Sequence, residues 1–444
     1  MKYNNGFNRF LLFFLCVPIL LSCGDDDGTN FNDDDVIQTD DGSSGTDDDP
    51  VLAEGLEIFD AEKVYDGLIL VNDASANRVY LLDKAATVVY EWNLNGKRLG
   101  NDVFLLPNGQ LLANLESETP EITLGGFGGV LALIQPNGEL SWSYEYSSAD
   151  HIAHHDAELL PNGNILFLTW EKKTVEEGNE VGFTPDTEVI YDAVFEINPT
   201  TDEIVWQWHM WDHLIQDVDD TKATFGVVAD NPQLIDINYL EVPNDEGDVS
   251  HANGLAYDAE NDLIYISANF YSEIWVVDHS TTSEEAQTGA GGNFGKGGDL
   301  VYRFGNPEAY DNTMGVRRFD RNHHPNLLSG EKAGNILVFA NGFSAEQSTA
   351  YEFRLPENLL LSPATDNEPQ EVWSFTDPEL YSGRVSGVVL LPNGNRLIAE
   401  GDFGYWEVTE AGEVVWRYTT QGFFWRGYHY DRDSEAIVNL GLQF

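Results

Sequence analysis

From Val51 to Phe444 the chain alternates short apolar or aromatic runs with turn signals, and no long 3.6-residue period appears. The tripeptide Pro-Asn-Gly recurs at Pro107, Pro136, Pro161 and Pro392. It supplies a preset φ followed by a position that tolerates positive φ. Short strands with regular turns predict a sandwich, a barrel or a propeller. Internal repetition separates these. An aromatic-x-aromatic unit occurs six times: Tyr90-Glu91-Trp92, Trp142-Ser143-Tyr144, Trp206-Gln207-Trp208, Tyr302-Arg303-Phe304, Trp373-Ser374-Phe375 and Trp416-Arg417-Tyr418. Alternate residues of a strand share a face, so each unit puts two rings where a neighbouring sheet can cover them.

A second motif interleaves with the first. A polar residue stands four positions before a leucine at Asn101, His155, His251, His323 and Ser386 (leucines 105, 159, 255, 327 and 390). One such station falls between successive aromatic units, and the missing first one is expected near Val64 or Tyr65. The predicted fold is all-β, a six-bladed propeller of four-stranded antiparallel blades over residues 51–444, in preference to seven or eight blades or a sandwich. The long interval between Trp206 and Tyr302 reads as insertions within a unit. The first strand of each blade lines the axis, so the stations should face one another across a single funnel.

Residues 1–22 read as a lipoprotein signal peptide: Lys2 and Arg9, then an apolar stretch too short to span a bilayer. Leu20-Leu21-Ser22-Cys23 fits a lipobox, with Cys23 the expected site of acylation and membrane attachment. Residues 23–50, dominated by Asp, Gly, Ser and Thr, read as an acidic disordered tether. The expected location is the cell envelope, lipid-anchored, on the outer-membrane or periplasmic face and open to surface display. With Cys16 and Cys23 the only cysteines, the mature domain has no disulfide and no thiolate metal site. A net charge of −54 excludes nucleic acid as a partner and requires any attraction for an anionic substrate to be local.

Three of ten histidines occupy the five stations. Their neighbours refine the picture. His154-His155-Asp156 offers a carboxylate to orient an imidazole, His251-Ala252-Asn253 places a His and an amide on one face, and His323-His324-Pro325 enters a strand. The leucine register turns His155 and His323 inward and leaves His154 and His324 behind them or in the loop. Neutral imidazole is a competent nucleophile near pH 7. A rival use of His155, Asp156, His251 and His323 is ligation of a divalent metal in a hydrolase or lyase. Another is a non-catalytic binding propeller.

Several longer segments carry a family resemblance that spans roughly residues 51–430. They are HHDAELLPNGNIL from His154, HANGLAYD from His251, and EIWVVDHSTTSEEA with GGNFGKGGDLVYRFGNP between Glu273 and Pro307. To these add NHHPNLL with GNILVFANG between Asn322 and Gly342, and the stretch from Ser386 to Tyr418. At these residues the chain resembles the bacterial arylsulfate sulfotransferases. The resemblance implies a PAPS-independent propeller enzyme without cofactor or metal. It would move a sulfuryl group from a phenolic sulfate donor to a phenol acceptor by way of a sulfated histidine. It assigns that histidine to His323, and His155 and His251 to the other active-site imidazoles. On this reading His155, oriented by Asp156, is the proton donor. His251 and Asn253 hold sulfuryl oxygens, and Ser386, Asn269, His324 and Arg384 are further substrate contacts. One departure stands out: where the family has Ser-x-Arg, this chain has Ser267-Ala268-Asn269. Arg303, Arg321 or Arg384 is then expected to supply the charge. The disulfide of some members is also missing.

Overall fold

The computed structural model describes residues 52–240 and 247–444. The leader, Cys23 and the acidic segment lie outside the described residues, whose helices include none long and apolar enough to cross a membrane.

Six antiparallel sheets form the blades of a propeller. Blades 2 to 5 are each built from consecutive strands: 99–145, 151–209, 252–304 and 322–375. The ring closes through both ends of the domain. Phe424–Tyr430 pairs with Leu68–Asp73 as the innermost strand of blade 1, and Leu56–Phe59 adds a fifth, outermost strand to blade 6. This corrects the expectation for the first station. Val64 and Tyr65 pack against the apolar cluster shared by blades 1 and 6, and the axial position they were expected to hold belongs to Trp425 and Arg426. The interval between Trp206 and Tyr302 contains one blade plus insertions, among them the short parallel pair Leu214–Ile215 and Ile235–Asp236.

All six aromatic units lie on the fourth strand of their blade counted from the axis, which is the outermost strand except in blade 6, where Leu56–Phe59 lies beyond it; Trp92 ends just past its strand. The first ring of each has a polar tip, and in every blade that tip donates a hydrogen bond to the following blade. Tyr90 reaches Pro136 O (2.8 Å), Trp142 reaches Asp202 (2.8 Å), and Trp206 reaches Thr281 (3.2 Å). Tyr302 reaches Asn367 O, Trp373 reaches Glu410 O (3.1 Å), and Trp416 closes the ring on Lys84 O (2.8 Å). An aromatic side chain with a donor at its rim satisfies both demands of such a seam, apolar area and a paired polar edge. Buried ion pairs join some of the same neighbours, Lys84 with Glu407 and Arg396 with Glu352.

The inner strands are less regular. In five of them the ladder shifts register at the station: near Asn101, His155, Asn253, His324 and Trp425. His155, His251, His324 and Ser386 also adopt positive φ. Bulges and left-handed non-glycine residues are costly, and they aim side chains where a regular pleat would not.

Candidate active site

The station side chains His155, His251 and His323 come together. With Gly126, Asn269, Phe270, Arg321, Phe343, Arg384 and Trp425 they line one axial cavity of about 290 Å3. The His155 and His251 rings are 4.9 Å apart and nearly perpendicular. Gly126, at φ +92°, lies flat against the His155 imidazole. A Cβ there would fall 2.1 Å from Nε2, so only glycine allows the close approach.

Each imidazole is held by a different device. His323 Nδ1 lies 2.6 Å from Asn341 Oδ1. The amide nitrogen of Asn341 donates to Ser382 O and Val385 O, which fixes its oxygen toward the ring. An oxygen can only accept, so His323 Nδ1 carries the proton and Nε2 carries the lone pair. Burial, reinforced by the charges of Arg426 and Arg321, pushes the His323 pKa down to about 3. The ring is therefore neutral at physiological pH.

His155 is oriented by His154, whose Nδ1 is 2.9 Å from His155 Nδ1. His154 stacks on Trp170 at 3.9 Å, and its Nε2 faces Asp192 at 3.0 Å, without the alignment of a formed hydrogen bond. Burial, then the neighbouring imidazoles, hold His155 well below the usual histidine range. His251 is different again. Its Nδ1 meets the Asp248 carboxylate at 2.5 Å and its ring stacks on Phe270.

Several expected contacts are reassigned. Asp156 does not orient His155; it turns away to accept from Arg426 (2.9 Å) and from the Leu255 N–H (2.7 Å). Asn253 does not line the cavity. Its amide joins Asn269 and Ser267 in donating to a single carbonyl, Asn322 O, at 2.8, 3.0 and 3.2 Å. Three donors on the peptide preceding His323 fix that histidine's backbone. Asn101 likewise donates to Gly126 O, the carbonyl that also accepts from His155 N–H. The Ser386 hydroxyl is taken up by Arg384 O and the Gly401 N–H, both at 3.1 Å, and lies outside the cavity lining. His324 faces a separate cavity.

A guanidinium reaches Asn269 from the next blade. Arg321 stands just ahead of the inner strand of blade 5, at φ +66°. It stacks on Phe270 at 4.2 Å and donates to Asn269 Oδ1 at 3.1 Å. The Asn269 amide thus holds a neighbouring guanidinium at the cavity. Desolvation lowers the Arg321 pKa, yet so strong a base stays charged. Arg384 adds a second, exposed guanidinium at the mouth, paired with Asp402 at 2.7 Å and stacked on Phe423. Arg303 is excluded, buried against Glu273 in blade 4. Among the described residues no group of three or more His, Cys, Asp or Glu side chains gathers as metal ligands.

Sequence reasoning passed over Asn341, the Asp248 partner of His251, the His154–Asp192 support and Trp425. Asn341-Gly342 reads as a turn signal, and only the fold turns its amide to the axis. Asp248, three residues before His251, was legible as a local partner.

A family model described as Arylsulfotransferase (ASST) matches residues 57–422. A search of curated proteins finds no match. Several solved structures resemble the chain distantly. A Bacteroides fragilis protein described as a putative 6-phosphogluconolactonase is 11% identical over 82% of this chain and 83% of its own, with a TM-score of 0.40. A periplasmic gluconolactonase of Pseudomonas aeruginosa is 10% identical over 80% and 83%, at 0.41. BamB from Moraxella catarrhalis is 11% identical over 86% and 95%, at 0.36.

Proposed function

The chain belongs to the arylsulfotransferase (ASST) family, a membership that supports arylsulfate sulfotransferase activity in general, and on that premise we propose a transfer through a sulfated His323. The observation that carries this reading is the Asn341 contact: it leaves a neutral imidazole with its Nε2 lone pair at the cavity.

The donor is a phenolic sulfate monoanion. His323 Nε2 attacks sulfur as the bond from sulfur to the phenolic oxygen breaks. Sulfuryl transfer, like phosphoryl transfer, spreads charge over three equatorial oxygens in a loose, in-line transition state. Arg321, already desolvated and oriented by Asn269, stabilises that charge. The leaving phenolate takes a proton from His251, whose Nδ1 is held by the Asp248 carboxylate. His155, kept neutral by burial, is a poor acid. It serves as a hydrogen-bond acceptor that positions the phenolic hydroxyl. In the second half-reaction the acceptor phenol returns its proton to His251 as its oxygen attacks the sulfur on His323. The nitrogen–sulfur bond breaks and neutral His323 is regenerated. Phe270, Phe343 and Trp425 supply apolar walls for an aryl group in both steps.

The test is to quench the protein with an aryl sulfate in the absence of acceptor and map the adduct by mass spectrometry. One sulfuryl group on the His323 peptide is expected, and added phenol should discharge it. His323→Ala should lose at least about 10³-fold in turnover. A variant retaining near-wild-type turnover would show that the nucleophile is another group.

We also infer attachment to the cell envelope through acylated Cys23, on the strength of the lipobox. Labelling with a fatty-acid analogue should mark the wild type and leave Cys23→Ala unmarked.

A further inference from the structure

A second cavity of about 650 Å3 lies on the propeller axis behind the histidines. It shares no lining residue with the first, although the two take adjacent residues from three inner strands. His155, His323 and Trp425 face one cavity, and Asp156, His324 and Arg426 face the other. The rear cavity is bordered by the Pro-Asn-Gly turns at Pro107 and Pro161, which follow the inner strands of blade 2 and blade 3. It is therefore the opposite mouth of the ring.

Its walls are apolar, with Leu159, Leu255 and Leu327 prominent; of its polar groups Asp156, His324 and Arg426 are buried and Glu158 is half-buried. Arg426 donates through one nitrogen to both Asp102 (3.0 Å) and Asp156 (2.9 Å), and through the other to Asn253 O. A third acid, Glu158, lines the same space and forms no ion pair among the described residues. Three carboxyl groups thus face one guanidinium. Burial and the Asp156 charge push the Glu158 pKa up to about 8, and an arriving ammonium lowers it again, so Glu158 ionises on binding and releases its proton to solvent. His324 contributes a donor. The Val388 N–H donates to its Nδ1 at 3.2 Å, so Nε2 carries the ring proton. Among the described residues nothing accepts that proton, although the histidine is only 3% exposed.

A drug-sized apolar cavity with a few converging polar groups has the form of a small-molecule site. Excess carboxyl groups disfavour an anion and favour a cation, and the net charge of −54 raises the local concentration of cations. The unused donor of His324 calls for an acceptor oxygen elsewhere on the ligand. We propose that the rear cavity binds a ring-bearing amine with an ether or hydroxyl oxygen. Its ammonium sits against Asp156 and Glu158, its oxygen on His324 Nε2, and its ring among the leucines. This site is independent of sulfuryl transfer.

Calorimetric titration of the full chain with 4-methoxybenzylamine tests it, since that probe has no phenol to accept a sulfuryl group. One molecule should bind per chain, about tenfold more tightly than 4-methoxybenzyl alcohol, and 4-methoxybenzoate should not bind. Benzylamine, lacking the oxygen, should be weaker than the probe. Leu159→Arg places a cation at the exposed edge of the cavity and should abolish binding. Glu158→Gln should weaken it about tenfold. Both variants should keep wild-type turnover of an aryl sulfate. The proposal is overturned if the amine does not bind, if the alcohol binds equally well, or if Glu158→Gln and a folded Leu159→Arg both bind like the wild type. Turnover is read separately, so each of these results leaves the sulfotransferase reading standing.

Discussion

On the outer strands one task is repeated around the ring: from Tyr90 to Trp416, the first ring of each aromatic unit donates a hydrogen bond to the next blade. On the inner strands the equivalent places hold different residues in different tasks. Trp425 and three histidines line a cavity, Asn101 pins a carbonyl, and Ser386 ties a loop. The outer seam needs the same apolar area and the same paired donor at every joint, so one solution serves six times. The axis brings six positions to one point, where chemistry requires them to differ. Stability and reactivity are thereby carried by different strands of the same sheet.

Substitutions can probe this division, beginning with the largest effect. Trp416→Ala removes a fully buried ring and its bond to Lys84 O, and should cost about 3–5 kcal/mol in chemical denaturation. The folded fraction should keep its kcat; a lost kcat would mean the seam shapes the axis after all. Asn341→Leu frees the His323 tautomer and should lower the rate of His323 sulfation about 10²-fold, with a drop in melting temperature because the Ser382 and Val385 carbonyls lose their donor. Asn341→Asp sharpens the point. A carboxylate on Nδ1 stabilises the protonated ring, so the His323 pKa rises from about 3 and the acid limb of kcat/KM should move to higher pH.

Arg321→Gln should reduce kcat/KM for an aryl sulfate about tenfold to a hundredfold. Asn269→Arg, which puts a guanidinium on the adjoining strand, should partly rescue it in the double variant. A smaller loss, about fivefold to tenfold, is expected from Asp192→Asn, because His154 then loses the charge that steadies the ring behind His155. Ser386→Ala should be the mildest of these. Its hydroxyl bonds only backbone, so about 1 kcal/mol of stability is lost while kcat stays unchanged. A large kcat loss there would return Ser386 to the substrate.

Much of this architecture was legible in the order of residues. Six aromatic units implied six blades, and a polar residue four places before a leucine pointed to His155, His251 and His323. The first station was not legible, because Phe424–Tyr430 pairs with strands some 350 positions earlier in the chain. The roles of the flanking residues were misread for a related reason. Asp156 adjoins His155 in sequence, but a bulge turns the two to opposite mouths of the ring.

Periodicity, turn chemistry and residue type are local properties, and they alone determined the class of fold, the blade count and the imidazoles at the axis. What each imidazole does was decided by the tertiary structure. Tautomer, basicity and the direction of a lone pair depend on atoms within about 3 Å, a hydrogen-bond distance, and those atoms are supplied by distant segments. Asn341 acts on His323 from 18 residues away, and Arg426 reaches Asp156 across 270. Arg321 reaches Asn269, 52 residues earlier, only because folding lays one against the other.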